Sequence, residues 1–346
     1  MHTLSPRDYV HKIINQALHF GASDIYIDSV VRGTVKNMLI AYRIHGVREL
    51  SQILDTTPHD EFFRYLRIVM GMRIDAEYVP HDGSCTLRNL GMNNNGDVRC
   101  ALIPSVRGYS CTLRLSVAHM QNRSLIDLGC DQEHIQDIEH MMRASAGLVI
   151  VVGPTGSGKT TLLHSMIAYR AERDVVIAIE DPVEVELKGV RHIEIDEYVG
   201  RTYAKCLKSV LRQSPDCILI GELRDAETVA IAIQAALTGH TVYASLHTYG
   251  IGTVISRLVD LGASLPSINE VLRGAVAMRL IRTLCTECKG NSETGNCTCR
   301  SGYAGRTGIF ETSCSIKKFY SSMREHGNKK VLQGITNQAE IERVLA

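Results

Sequence analysis

The chain contains no tryptophan, and aromatic residues make up only 5% of its 346 positions. Proteins that grip single-stranded nucleic acid stack bases on such rings, so a base-stacking platform is disfavoured. One-sided charge is missing too: 38 Lys and Arg stand against 37 Asp and Glu, a formal net charge of +1. That balance offers no broad basic footprint, and direct binding to nucleic acid is not expected. No apolar run approaches the ~20 residues that a membrane-crossing helix needs. The opening residues, Met1-His-Thr-Leu-Ser-Pro-Arg-Asp8, have no signal-peptide core. We therefore expect a cytoplasmic protein whose membrane contact, if any, runs through partners. Internal repeats and low-complexity tracts do not stand out either. Cysteine is abundant, with eleven in the chain. In a reducing compartment they indicate buried thiols or a metal site, not a disulfide framework.

The length suggests about two domains with room for a real core. Up to residue 120 the pattern is α+β. Tyr9 to Phe20 carries an apolar helical stripe that stops at Gly21, and Asp24-Ile-Tyr-Ile-Asp28 alternates as a strand does. Met38 to Ile44 reads as a second strand, Phe62 to Met72 as a helix, and Val98–Ile103 and Tyr109–Leu115 as two more strands. The polar stretch Ala118 to Ser124 is the linker candidate, within a division into 1–120, a linker at 121–130 and a second domain at 131–346. In that second domain apolar strands alternate with helices, the mark of a largely parallel α/β sheet. Strands are expected at Leu148–Val152, Val175–Ile179, Cys217–Gly221 and Thr241–Leu246. Helices are expected at Thr160–Glu172, Tyr203–Gln213, Ala226–Leu237 and Thr253–Leu261.

Between the first of those strands and the first of those helices lies Gly153-Pro154-Thr155-Gly156-Ser157-Gly158-Lys159-Thr160, followed by Thr161. Strand, glycine-rich turn and helix are the context of a phosphate-binding P-loop. The glycines let backbone N–H groups converge on phosphates, and the helix N-terminus adds a favourable dipole. Lys159 would neutralise the phosphate charge of a bound nucleotide and the Thr160 hydroxyl would ligate Mg²⁺. Glu180 and Asp181 follow the second strand, where an open α/β sheet places its ligands. They could hold Mg²⁺ through water or polarise an attacking water. Gly221-Glu222 follows the third strand in the shape of a Walker B segment, with Gly where an Asp usually stands. Glu222 is then the natural base or water-orienting group. His247, at the end of the fourth strand, is a candidate γ-phosphate sensor.

These four segments, in this order, resemble the secretion and type IV pilus ATPase superfamily over nearly the whole chain. Glu180-Asp-Pro-Val-Glu184 resembles the family's aspartate box, Leu211 to Thr228 its Walker B region, and Thr238 to Thr248 its histidine box. Family members usually carry Asp where this chain has Ser214. The resemblance implies a PAS-like N-terminal domain followed by a RecA-like P-loop ATPase domain. It further implies a homo-hexamer in which ATP hydrolysis moves the two domains and drives a membrane-embedded pilus platform protein. Pilin-like subunits would be moved only indirectly. Phe20-Gly-Ala-Ser-Asp-Ile-Tyr-Ile27 resembles the opening of the PAS-like domain. The absence of a further N-terminal domain is most similar to the short competence ATPases that assemble DNA-uptake pili. Arg99 and Arg114 match two family arginines that reach across a subunit boundary to the nucleotide.

Cys285, Cys288, Cys297 and Cys299 form two close pairs and read as a structural Zn²⁺ site in a loop at 285–299. Such pairs accompany the family's extension and secretion branches, ahead of a segment present here as Gly302-Tyr-Ala-Gly-Arg306. Pilus retraction and type II secretion are the alternatives within the family. A DNA-translocating RecA-like motor and a regulatory module without motor output are those outside it.

Overall fold

The computed structural model describes residues 5–32, 35–54, 59–75, 78–94, 96–117, 123–291, 297, 299, 301–314 and 322–346. The chain forms two compact units, Met1–His119 and Met120–Ala346.

The first unit opens with α1 (Pro6–His19), whose start is encoded locally. The Ser5 hydroxyl accepts from the Asp8 N–H, the Asp8 carboxylate accepts from the Ser5 N–H, and Pro6 sits where a missing N–H is harmless. Then come β1 (Ala22–Arg32), β2 (Val35–Ile44), β3 (Val47–Leu54), α2 (His59–Val69), β4 (His81–Thr86), β5 (Gly96–Ser105) and β6 (Gly108–Val117). The strands make an antiparallel sheet in the order β3-β2-β1-β6-β5-β4. Ile13 and Ile14 of α1, Phe62 and Leu66 of α2, and Ile25, Ile27, Tyr42 and Leu113 of the sheet share one core. Strand alternation therefore sends Asp24, Tyr26, Arg43 and Arg114 to the opposite face of the sheet.

The second unit contains α3 (Gln132–Met142), β7 (Gly147–Val152), α4 (Lys159–Arg170), β8 (Val176–Glu180), β9 (Val190–Glu194) and α5 (Tyr203–Val210). It continues with β10 (Cys217–Ile220), α6 (Ala226–Leu237), β11 (Thr241–Leu246), α7 (Val254–Asp260) and α8 (Leu265–Val271). Its last elements are β12 (Leu272–Leu284), β13 (Tyr303–Ser313), α9 (Met323–Leu332) and α10 (Gln338–Leu345). The sheet order is β13-β12-β7-β11-β10-β8-β9, parallel from β12 to β9, with β13 returning antiparallel beside β12. Both faces are covered, which is why the central strands are continuous apolar runs. Leu148, Ile150, Ile177, Ile218 and Val242 enter one core, with α5 to α8. Val149, Val151, Ala178, Leu219 and Tyr243 enter the other, with α3 and α4.

Three expectations are corrected. The helix expected at Tyr203–Gln213 ends as α5, and a 3₁₀ turn at Leu211–Gln213 leads to Ser214 in the left-handed region, φ +49°. That conformation suits Asn and Asp better than Ser. The expected linker at 121–130 is a packed turn in its described part. Leu128 and Cys130 are buried in the second unit, and the Gly308 N–H donates to the Leu128 carbonyl at 2.9 Å. Residues 118–122 lie outside the described residues. Finally, β12 and β13, 13 and 11 residues long, extend the sheet beyond β7 and were not among the expected strands. Among the described residues no helix is long and apolar enough to cross a membrane.

Candidate active site

Because β7, β8, β10 and β11 run parallel, their C-terminal ends share one edge of the sheet, and each delivers a candidate residue there. After β7 the loop Gly153–Gly158 turns into α4. Gly156 and Gly158 hold φ +75° and +97°, which disfavours any side chain. A Cβ on Gly153 would come within 2.4 Å of Ser157 Oγ and 2.7 Å of the Met278 carbonyl oxygen, so β12 leaves no room for one. Pro154, Thr155, Gly156 and Thr160 are exposed, and Thr161 is half-buried.

Two features test whether these residues fit a nucleotide. The Ser157 hydroxyl is buried with no hydrogen-bond partner among the described residues. Lys159 is only 8% exposed, and its Nζ donates to the loop's own carbonyls, Gly153 O at 2.8 Å and Pro154 O at 3.0 Å. Burial pushes its amine down to about 8 despite the nearby Glu222 carboxylate, and Arg279 adds to the fall. A buried ammonium and an unpaired hydroxyl at a helix N-terminus suit phosphate oxygens. The fit is good.

Glu222, past the end of β10, accepts from Arg224 Nε at 2.8 Å and lies 3.2 Å from His247 Nε2, past the end of β11. Arg224 also reaches Asp181 Oδ2 at 3.3 Å, past the end of β8. Asp181, Arg224, Glu222 and His247 are thus one chain of contacts along the edge. Burial lowers the His247 pKa, the Lys159 charge lowers it further, and Glu222 opposes both. The imidazole is therefore neutral near pH 7. Gly221 has a steric cause: a Cβ there would meet Tyr203 Oη at 2.9 Å and the Ile179 carbonyl oxygen at 3.2 Å.

Glu180 does not join this edge. It is 3% exposed, its Oε1 is 2.5 Å from His164 Nε2 and its Oε2 is 2.7 Å from His192 Nδ1. His192 Nε2 accepts from the Leu187 N–H at 2.9 Å, which leaves Nδ1 to donate to Glu180. Burial pushes the Glu180 carboxyl up, but the hydrogen bonds from His164 and His192 prevail and hold it below the usual carboxylate range. The expectation of a catalytic role for Glu180 is corrected accordingly: both its oxygens are taken by α4 and β9. His164 and His192 were not foreseen. The available signal for His164 was a polar residue inside the buried stripe of α4.

Arg279 on β12 was also missed. It is buried and donates to the carbonyls of Tyr249 at 2.7 Å and Met278 at 3.0 Å. Arg99 and Arg114 belong to the first unit, directly opposite one another on β5 and β6.

The four cysteines converge where β12 ends and β13 begins. Their sulfurs all lie within 4.8 Å of one another, with Cys285–Cys297 at 3.4 Å and Cys288–Cys299 at 3.3 Å. Backbone N–H groups of Cys288 and Glu287 draw the Cys285 thiol down to about 7. Zn–S bonds of about 2.3 Å in a tetrahedron need sulfurs about 3.8 Å apart, so this group fits the metal.

The model of the family described as Type II/IV secretion system protein matches residues 5–344. The chain belongs to that family. It is 32% identical to Type II secretion system protein HxcR of Pseudomonas aeruginosa, over 97% of this chain and 76% of that protein. The structure of the Legionella pneumophila ATPase DotB superposes with a TM-score of 0.75 at 19% identity, covering 99% of this chain and 96% of that one. The pilus retraction motor PilT, solved with bound ADP, gives 0.62 at 26% identity, over 96% of this chain and 91% of that one. The chain is a secretion-family ATPase with a RecA-like second unit.

Proposed function

We propose that this ATPase works as a homo-hexameric ring that powers assembly of a type IV-like pilus or pseudopilus, of the kind used for DNA uptake. The observation that supports it most is the contact chain Asp181–Arg224–Glu222–His247 beside Lys159. ATP would lie along the Gly153–Gly158 loop with Lys159 moving from the loop carbonyls to the phosphates. Thr160, Thr161 and Asp181 would hold Mg²⁺, which when bound neutralises phosphate charge. Glu222 takes the proton of the attacking water. The neutral His247 orients Glu222 and reads the γ-phosphate. A neighbouring subunit supplies Arg99 and Arg114 in trans, stabilising the charge that develops on the transferring phosphoryl group.

The four-sulfur cluster holds Zn²⁺ and closes the β12–β13 connection, and it favours extension over retraction. The ring sits on the cytoplasmic face of the membrane through a platform protein, moves pilin-like subunits indirectly, and does not itself bind DNA. Glu222→Gln tests this. The purified variant should bind ATP normally and lose turnover by about 10²-fold or more. Cells carrying it should lack surface fibres and take up no DNA. Near-normal turnover would remove Glu222 as the base, and accumulation of fibres would show a retraction motor.

A further inference from the structure

The strand registers of the first unit line up one row of residues across its outer face. Arg48 on β3 lies opposite Arg43 on β2, Arg43 opposite Asp24 on β1, Asp24 opposite Arg114 on β6, and Arg114 opposite Arg99 on β5. Like charges directly opposite one another destabilise a sheet, and this row contains two such pairs. Its single acid is Asp24, only 6% exposed.

Asp24 is bound from both sides. Its Oδ1 lies 3.1 Å from Arg114 Nε and its Oδ2 lies 3.4 Å from Arg43 Nε, and Oδ2 also accepts from the Ser23 hydroxyl at 2.8 Å. The two arginines differ in how they are held. Arg43 Nε donates to Tyr26 Oη at 2.7 Å, its Nη1 donates to the Gly46 carbonyl at 3.2 Å, and its guanidinium lies 5.5 Å from the Tyr26 ring centre. Among the described residues Arg114 is held at Nε alone, and its side chain is 62% exposed. A guanidinium anchored by one edge keeps its terminal amino groups for a second, bidentate partner such as a phosphate.

We propose that Asp24 is a positioning residue, braced by Arg43 and Tyr26, that fixes Arg114 for contact with the triphosphate of a nucleotide bound to a second copy of this chain. The inference rests on the trans-acting role of Arg114. Asp24 supplies no atom to the reaction. It narrows the range of orientations of Arg114, and a pre-oriented donor stabilises developing charge at less cost than a mobile one.

The test uses the full chain at a concentration where rings form, with ATP turnover, fluorescent ATP-analogue binding and thermal midpoint measured together. Asp24→Asn, which keeps the shape and removes the charge, should lower kcat about 10-fold with KM for ATP within about 2-fold. It should lower the turnover of Arg114→Ala no further, because Asp24 acts through that side chain. Arg43→Gln, which removes one of the two arginines on Asp24 but keeps its carboxylate, should move kcat in the same direction and covers the case of a poorly folded Asp24→Asn. Wild-type kcat in both Asp24→Asn and Arg43→Gln overturns the positioning role. So does an equal further loss when Asp24→Asn is added to Arg114→Ala. Full turnover of Arg114→Ala itself would instead overturn the trans-arginine reading on which this one stands.

Discussion

At the residue scale, Lys159 is both the group whose position the sequence marks most plainly and the most conditional one. Its place follows from the glycine spacing of Gly153 to Gly158, whereas its state depends on burial that spacing does not encode. With its amine lowered to about 8 by burial, the free enzyme loses this charge in mildly alkaline solution, and phosphate then meets a neutral lysine. Since kcat/KM reports groups of the free enzyme, kcat/KM for ATP should fall about 10-fold per pH unit above about 8, while kcat holds longer because bound phosphate restores the charge. A kcat/KM profile that stays flat to pH 9.5 would remove this account. The positions of Glu222 and His247 were equally legible, two residues and one residue past the end of an apolar strand. Glu180 was misread for a physical reason. It too ends an apolar strand, but His164, five residues into α4, and His192 on β9 close over it. Those are tertiary contacts, without a local signature.

Elements divide by how they are buried. β7, β8, β10 and β11 are covered on both faces, so composition alone marks them. β4 reads His-Asp-Gly-Ser-Cys-Thr and holds its place as an edge strand through its ladder with β5, against its own propensities. β12 is interrupted by Arg273, Arg279 and Arg282, each of which finds a partner only in the folded chain: the Ala146 carbonyl, the Tyr249 carbonyl and Glu340. The cysteine spacing was informative because thiolates need so little else to form a site. It joins the end of β12 to the start of β13, so metal removal should act on that hairpin first. Freshly prepared, reduced protein should contain one zinc per chain. Cys285→Ser or Cys297→Ser should abolish it and lower the stability of the second unit by a few kcal/mol, about what loss of a structural metal or cross-link costs a small element. Metal analysis that finds none in the wild type would leave four free thiols and no staple.

For the whole molecule, the near-zero net charge concealed a local pattern. The balance of 38 bases and 37 acids offers no broad basic footprint, yet it is compatible with four arginines in one row across the first unit's sheet. Rows of this kind come from strand register, which a count of residues cannot show. Their proposed use in trans makes a prediction about assembly. If Arg99 and Arg114 complete a neighbour's site, specific activity must rise with protein concentration as rings form. Arg114→Ala should depress turnover while its P-loop still binds nucleotide, and Lys159→Ala should abolish its own site while keeping its arginines intact. Each variant then spoils a different half of a shared site. In a randomly mixed ring of the two, about a quarter of interfaces pair an intact P-loop with an intact Arg114, so mixing two impaired proteins should recover up to about a quarter of normal turnover if sites fire independently. Full activity of Arg114→Ala alone, at a dilution where light scattering shows only monomers, would show that each subunit hydrolyses ATP without its neighbour's arginine.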